Sequence, residues 1–256
     1  MKELNFNLWQ YCMFRREKSL VLTDLPDKIR QVNTCEITNR KEYMDAERDL
    51  IMYLQKYKDA DDDKIEKALR GEVMVRINIL RQISARGKVR DVIEFVKDFR
   101  ENGKKIILFC SLHEVVDQLK RYFPTAVSVT GRDSQDEKQR AVDAFQNNPK
   151  ADIIICSIKA AGVGLTLTAS SNVAFVEFPW TYADCCQCED RAHRIGQKDS
   201  VTCYYFLGRR TIDEKVYRII QEKKNIANAV TGSTEDIEEN IVDMVARIFD
   251  TDYDDE

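Results

Sequence analysis

This sequence is short of the features that mark several common protein classes. None of its 256 residues lies in an apolar run approaching 18 residues, and no apolar run near residue 1 suggests a secretory signal. Histidine is scarce: His113 and His193 are the only two, which leaves little room for histidine acid–base chemistry. We therefore expect an intracellular protein without a membrane partner, in the cytoplasm or nucleoid if its source is bacterial or phage and in the nucleus if it is eukaryotic.

The sequence also lacks the paired spacing of a zinc site. Three of its eight cysteines, Cys185, Cys186 and Cys188, lie close together. A structural zinc site needs a second ligand pair, and only His193 and Cys203 follow nearby. Without a secretory signal, reduced thiols are favoured over a disulfide framework. We expect that these cysteines bind no metal.

A strong excess of positive charge, the usual mark of a nucleic-acid-binding chain, is missing as well, because the net charge is −4. The charge is uneven, however. Residues 231–256 hold ten acids and one base, so residues 1–230 carry 39 bases and 34 acids, a net charge of +5. The acidic end is typical of a solvated tail, and the mildly basic body permits a local nucleic-acid-binding face.

What the sequence does contain is a regular alternation of strand-like and helix-like segments. The run Ile153–Cys156 has no polar alternation, as strands buried on both faces require. We therefore predict an α/β fold with a parallel sheet covered by helices on both faces. The predicted strands are 105–110, 126–130, 153–156, 173–176 and 201–206, and capping-box spacing predicts helix starts at 134–137 and 211–214.

This pattern divides the chain into three parts. Residues 1–86 are charged and mostly helical in pattern, with Pro26 interrupting any early helix, and they are interpreted as a linker and an N-terminal helical arm. Residues 87–230 carry the regular alternation and form the main lobe. Residues 231–256 are predicted to form a C-terminal helix and an acidic tail.

Two glycines follow the third predicted strand. Residues 157–167 read Ser-Ile-Lys-Ala-Ala-Gly-Val-Gly-Leu-Thr-Leu, with Gly162 and Gly164 two positions apart. In a parallel sheet, functional groups collect on the loops at the carboxyl ends of the strands. Glycines there let backbone N–H groups approach a phosphate closely, although a tight turn alone would use the same residues.

Two arginines give the sharpest signal. Residues 187–197 read Gln-Cys-Glu-Asp-Arg-Ala-His-Arg-Ile-Gly-Gln. On a helix Arg191 and Arg194 share one face, and two neighbouring guanidiniums need a phosphate or a carboxylate between them. The alternative is an exposed helix on which Glu189 and Asp190 are the salt-bridge partners.

The string 190–197 matches, residue for residue, motif VI of Snf-type, superfamily-two ATP-dependent DNA translocases, which the chain resembles over about residues 10–230. Together with the Ala160-Ala161 variant of motif V, it is most similar to the HARP-like annealing-helicase branch of that family. Further similarities lie in motif V at 157–167, motif IV at 105–111, the family's Gly-Ser/Thr…Arg…Phe stretch at Gly131, Arg140 and Phe145, and the segment leaving the first lobe at 14–18 and 25–26.

The resemblance implies a RecA-like second motor lobe that works as a monomer with a first RecA-like lobe on double-stranded or branched DNA. ATP and Mg²⁺ would be held mainly by that first lobe. Arg191 and Arg194 would be the catalytic arginines, with Arg194 as the finger. The implied nucleotide-binding residues are Gly162, Gly164, Thr166 and Gln187, and the implied DNA-binding residues are Ser111, Gly131, Ser157 and Lys159.

The sequence departs from the family in one respect. It contains no G-x-x-x-x-G-K-[ST] string and no apolar strand ending in Asp-Glu, so the Walker A lysine and the magnesium-holding acid are missing. We expect the chain alone to be inactive. A non-enzymatic DNA- or protein-binding module is the rival interpretation, although such a module does not require both arginines. Trp180 is predicted to pack in the core, with stacking on a base as the alternative.

Overall fold

The structure, a computed structural model, describes residues 24–58, 63–161 and 164–227, with residues 10, 11, 21, 22, 245, 246 and 249. The acidic residues 250–256 and residues 228–244, where the C-terminal helix and tail are predicted, lie outside that part. The elements are β1 (Lys28–Cys35), α1 (Arg40–Lys58), α2 (Asp63–Glu101), β2 (Ile106–Cys110), α3 (His113–Tyr122), β3 (Val127–Val129), α4 (Gln135–Asn147), β4 (Ile153–Ser157), α5 (Ile158–Ala161), β5 (Asn172–Phe175), α6 (Tyr182–Glu189), β6 (Val201–Gly208) and α7 (Ile212–Ala227).

Six strands form one sheet in the order β1-β6-β5-β2-β4-β3, and every pair is parallel. The central strand β2 is buried along its whole length, and β4 is buried at all but its last residue. Such strands read as continuous apolar runs because helices cover them on both sides. The predicted parallel α/β sheet is confirmed.

Alternate residues along each strand feed two separate cores. Ile107 and Phe109 of β2 pack on one face with residues of α1, α4, α6, α7 and the first half of α2. Ile106 and Leu108 pack on the opposite face with α3 and the second half of α2. Period-two alternation thus gives each face its own hydrophobic layer, and the predicted cover on both faces is confirmed.

The long helix α2 passes from one face to the other beside a buried ion pair. Lys88 Nζ lies 2.5 Å from Asp213 Oδ2 and 2.8 Å from the carbonyl oxygen of Phe206. Ser84 Oγ and the backbone N–H of Gly208 donate to the same carboxylate oxygen, at 2.7 and 3.0 Å. A buried charge needs such partners, and this set fixes α2 against β6 and α7.

No helix end or strand end marks the predicted boundary between residues 86 and 87, which stays a prediction. Helix α2 runs unbroken through that point, from Asp63 to Glu101. Strand β1, inside the predicted arm, pairs with β6 along eight residues and forms an edge of the sheet. The helical part of the arm is present as α1 and the first half of α2, which pack against the first core.

One of the two predicted capping boxes forms as expected. Ser134 Oγ accepts a hydrogen bond from the N–H of Glu137, whose carboxylate accepts one from the N–H of Ser134. At the start of α7 the Thr211 hydroxyl instead accepts from Asp213 N–H (3.2 Å) and donates to the carbonyl oxygen of Gly208 (2.7 Å). The helix begins at Ile212, as predicted, but the capping box does not form, because the Glu214 carboxylate accepts from the N–H of Arg210, one residue before Thr211.

Candidate functional site

The loops after β2 and β5 are joined at the carboxyl edge of the sheet. Oε1 of Glu177 accepts hydrogen bonds from the backbone N–H groups of Ser111 (3.0 Å) and Leu112 (2.8 Å). Leu112 is the N-cap of α3 and makes no side-chain cap, and the carboxylate satisfies the N–H of this N-cap residue. Glu177 therefore holds Ser111 in place, a role that its sequence position did not predict.

The last residue of β4 and the short helix α5 present a hydroxyl and an ammonium group. Ser157 Oγ accepts a hydrogen bond from the N–H of Ala160 (3.2 Å), which leaves its own proton available to an outside acceptor. Lys159 is exposed. With Ser111, Lys159 lines a depression of about 600 Å³ whose walls also include Arg81, Glu177, Trp180, Asp184 and Gln187.

Gly131 lies in a separate turn, after β3. Asp133 Oδ2 accepts hydrogen bonds from the N–H (2.6 Å) and hydroxyl (2.8 Å) of Thr130, which closes the turn. A Cβ placed on Gly131 would meet nothing within 4 Å, so the backbone there faces open space. The four predicted DNA-binding residues thus fall on three loops at one edge of the sheet, and Gly131 does not line the depression that contains Ser111 and Lys159.

Arg194 contacts the loop that contains Gly164 and Thr166. Its Nη1 lies 3.3 Å from Thr166 Oγ1 and 3.5 Å from the carbonyl oxygen of Leu165. Gly164 has a φ of +53°, in the left-handed region that favours glycine. A second depression, of about 590 Å³, is lined by Gly164, Leu165, Thr166 and the first turns of α4.

The two arginines do not share a helix face, contrary to prediction. Helix α6 ends at Glu189, and residues 190–197 form consecutive turns, here called the arginine turn. Its backbone bonds are short in range, such as Ala192 N–H to the carbonyl oxygen of Glu189 at 3.1 Å. Burial lowers the pKa of the Arg191 guanidinium, and the positive charge of nearby Arg194 lowers it further. Two cations held together fit an anion.

Gln197 joins the arginine turn to the loop before β5. Its side-chain nitrogen donates to the carbonyl oxygens of Ser170 (3.0 Å) and Ala192 (3.3 Å), and its Oε1 accepts from the N–H of Lys198 (2.9 Å). Leu167 N–H also donates to the carbonyl oxygen of Arg191 at 2.9 Å. The buried Gln197 therefore has a structural role that was not predicted.

The predicted nucleotide-binding residues fall in two places. Gly164 and Thr166 lie beside Arg194, whereas Gln187 is exposed on α6 and lines the depression that contains Ser111 and Lys159. Gly162 lies outside the described residues.

Trp180 is half-buried and packs against the first core. Its ring is covered by Arg81, whose guanidinium carbon lies 3.8 Å from the ring centroid, as in a cation–π contact. In the described parts of the chain, no three histidine, cysteine or acidic residues converge as a metal site, and no helix is both long and apolar enough to span a membrane. Seven cysteines of that part, including Cys185, Cys186 and Cys188, are free thiols.

Comparison with known proteins identifies the lobe. Residues 87–196 match the helicase conserved C-terminal domain. The Xenopus tropicalis protein named SWI/SNF-related matrix-associated actin-dependent regulator of chromatin subfamily A-like protein 1 is 30% identical over 230 residues, which cover 87% of this chain and 23% of that protein. The Bos taurus DNA annealing helicase and endonuclease ZRANB3 is 30% identical over 232 residues, which cover 87% of this chain and 20% of that protein. This chain carries the C-terminal lobe of an SNF2-type helicase.

A solved structure shows the same fold. The C-terminal part of the Fun30 ATPase domain superposes with a TM-score of 0.69 and 17% identity, over 88% of this chain and 97% of that one. The SNF2-type lobe is therefore RecA-like, as the sequence predicts. It spans a quarter or less of the length of the two curated relatives. Residues 111–194, with all ten predicted site residues, lie inside the matched domain, whereas β1 and β6 lie outside it.

Proposed function

We propose that this SNF2-type lobe is the arginine-bearing half of an ATP-dependent DNA translocase, acting as a monomer with a first RecA-like lobe. The contact between Arg194 and Thr166 carries the proposal, because it brings the two loops most similar to motifs V and VI together through side chains. Arg194 is exposed, so its guanidinium can meet a phosphate presented by another lobe.

Arg194 would act as the arginine finger, with Arg191 beside it. Phosphoryl transfer depends on stabilising charge in the transition state more than on covalent help, and an arginine finger contributes ~10³–10⁵ in rate. A guanidinium also offers a planar fork that matches phosphate oxygens in pairs. The neighbouring positive charges of Arg191 and Arg194 would attract that polyanion.

ATP with Mg²⁺ supplies the transferable phosphoryl group and the metal charge, and the first lobe would hold most of both. On this lobe, Gly164 and Thr166 would approach the nucleotide beside Arg194, together with Gly162 from the same loop. Gln187 would couple the two lobes from the exposed side of α6. The sequence contains neither a Walker A lysine nor a Walker B acid, so these residues assist a site that they do not complete.

DNA would lie across the loops at the carboxyl edge of the sheet. Ser111 and Ser157 offer hydroxyl groups and Lys159 offers an ammonium group, which are phosphate ligands rather than base readers. Gly131 would let the backbone approach the same strand from its own turn. Binding through these groups would be independent of sequence, as a translocase needs.

Substitution of Arg194 tests the proposal in the protein that contains both lobes. Arg194→Ala should lower DNA-stimulated kcat by ~10³-fold or more while the KM for ATP changes little, because the lost contact forms mainly in the transition state. Arg194→Lys should restore little, since an ammonium lacks the planar fork. Steady-state kinetics with a thermal-melt control gives the measurement.

Arg210→Ala is a matched control, because Arg210 is exposed and lies in the turn before α7, outside the proposed site. Near-normal hydrolysis by Arg194→Ala would overturn the arginine-finger assignment. If the unaltered two-lobe protein bound DNA equally well with and without ATP and hydrolysed no ATP, the binding-module alternative would be favoured.

A further inference from the structure

Glu189, at the end of α6, is a buried carboxylate with three partners from two strands. Arg30 of β1 donates from Nε (2.8 Å) and Nη2 (2.7 Å) to the two carboxylate oxygens. Lys28 Nζ lies 2.9 Å from Oε2, and the hydroxyl of Tyr205 on β6 donates to Oε1. Glu189 is fully buried, whereas Lys28 and Arg30 are 17% and 25% exposed, so the cluster reaches the surface only through its cations.

The same short segment of chain contacts two residues of the arginine turn, Asp190 and His193. Lys28 Nζ also lies 3.1 Å from Asp190 Oδ1. The ring Nε2 of His193 lies 2.7 Å from the carbonyl oxygen of Pro26, so the imidazole donates to it. Residues 26–30, here called the anchor segment, therefore bond positions 189, 190 and 193, which flank Arg191 and precede Arg194.

Stability alone does not account for this arrangement. A buried ion pair is often no more stabilising than well-packed apolar residues of the same volume, because desolvation offsets the attraction. What a bidentate arginine–carboxylate pair adds is fixed geometry. The arginine turn needs that fixing, since its own backbone bonds span two to four residues and it lies outside any helix or strand.

We infer that Lys28 and Arg30 are positioning residues for the catalytic arginines: through Glu189 and Asp190 they hold the arginine turn in the conformation that presents Arg194. The inference rests on the proposed function of Arg194, which these two residues serve without touching substrate. The contacts of Lys28 and Arg30 join the arginine turn and the residue before it to a segment about 160 positions earlier in the chain.

The first test uses this chain and does not depend on activity. Ile195 lies next to Arg194 and is 74% exposed, so a ¹³C-labelled δ-methyl group there reports on the arginine turn by NMR. Arg30→Gln should shift and broaden the Ile195 methyl resonance while Ile153 and Ile155, in the sheet interior, keep theirs. Arg100→Gln is the matched control, because it breaks an arginine–carboxylate pair of similar length with Asp152 (2.6 Å) on another part of the surface.

The doubly substituted Arg30→Gln/Glu189→Gln chain should regain most of the wild-type Ile195 signal, since two amides can hydrogen-bond each other without a buried charge. If Arg30→Gln does not fold, Lys28→Gln replaces it, because Glu189 then keeps its bidentate partner while Asp190 loses Lys28. A folded variant with an unchanged Ile195 resonance would overturn the inference.

The second test measures the catalytic consequence in the protein with both lobes. Arg30→Gln should lower DNA-stimulated kcat by about 10- to 100-fold, the loss expected from a misplacement of about 1 Å, with little change in the KM for ATP. Arg194→Ala serves as the reference. Loss of hydrolysis in Arg194→Ala with a normal kcat in Arg30→Gln would overturn the positioning role alone, whereas normal hydrolysis in Arg194→Ala would overturn the proposed function itself.

Discussion

At the scale of single residues, the proposed site combines an exposed arginine with a buried glutamate nearby in the sequence. Arg194 lies at the surface, where another molecule can reach it, whereas Glu189 is enclosed by Arg30, Lys28 and Tyr205. Burial favours the protonated acid, but the hydrogen bonds and charges of Arg30 and Lys28 outweigh it and lower the pKa of Glu189. Burial and the neighbouring carboxylate raise the pKa of Tyr205, so its hydroxyl stays protonated and donates.

Glu189 should therefore make folding sensitive to acid. Its pKa in the folded state lies below the ordinary value of 4.5, so the unfolded state takes up a proton first as the pH falls. This contribution to the free energy of unfolding is complete above about pH 4.5 and is lost as the pH falls through the lower folded-state pKa. Denaturant titrations at a series of pH values between 7 and 3 would measure it.

Glu189→Gln should be less stable at pH 7, by about 1–3 kcal/mol, because two cations lose a charged partner. Its stability should also fall less steeply below pH 4.5 than that of the wild type. Glu36→Gln is the control, since it removes an exposed carboxylate that pairs with Arg209 at the surface. An equally steep acid dependence in Glu189→Gln would show that other carboxylates dominate.

Sequence reasoning at this scale found the two arginines but not what holds them. Arg191 and Arg194 stand out because their spacing is recognisable within eight residues. Lys28 and Arg30 carry no such signal, because their partner Glu189 lies some 160 positions away and only the folded sheet brings β1 beside α6. Long-range pairs of this kind are invisible to local pattern.

At the scale of elements, the caps and apolar runs determine where helices and strands begin. Strands β2 and β4 were predictable because they are buried on both faces and so are apolar throughout. Strand β1 was not, because it lies at the edge of the sheet and mixes the exposed Ile29 and Val32 with charged residues that face Glu189. The strand depends on pairing with β6 rather than on its own pattern.

The capping box of α4 should contribute measurably to stability. Ser134→Ala removes the acceptor for Glu137 N–H and should lower the free energy of unfolding by about 1 kcal/mol. Ser200→Ala, at an exposed position before β6, is the control and should change it little. Denaturant midpoints of the two variants give the comparison, and equal midpoints would mean that the helix start is held by packing alone.

At the scale of the whole molecule, the chain is one lobe of a larger motor under the proposed function. Its proposed DNA path lies at the carboxyl edge of the sheet, whereas its arginine turn bonds residues at the amino ends of β1 and β5. The fold was predictable because βαβ alternation admits few arrangements. The grouping of loops around each depression was not predictable from the sequence. Gln187, predicted to bind nucleotide, lines the same depression as Ser111 and Lys159.

The purified chain should show no DNA-stimulated hydrolysis of ATP. Without a Walker A lysine or a magnesium-holding acid, the phosphates and the metal have no cradle on this lobe. A phosphate-release assay with excess DNA is the measurement. Turnover at ordinary enzyme rates, ~1 per second or faster, would contradict the proposed division of labour between lobes.

DNA binding by the purified chain should be weak, independent of sequence and sensitive to salt. Each lysine on a phosphate contributes about 0.9 to the slope of log affinity against log salt concentration, so Lys159→Ala should reduce that slope by roughly 1. Lys150→Ala is the control, because Lys150 is also exposed but lies before β4, away from the carboxyl edge. Equal slopes in the two variants, or sequence-selective binding, would contradict the proposed path.

Helix α2 has a further consequence for how the lobe unfolds. Its 39 residues span about 58 Å, and its two halves belong to the two hydrophobic cores on opposite faces of the sheet. We therefore expect that unfolding of one core disrupts α2 and so destabilises the other core. Loss of one face would also expose the Lys88–Asp213 pair at the crossing. Folding of the two layers should be cooperative, so the lobe would respond to heat or denaturant as a single unit rather than layer by layer.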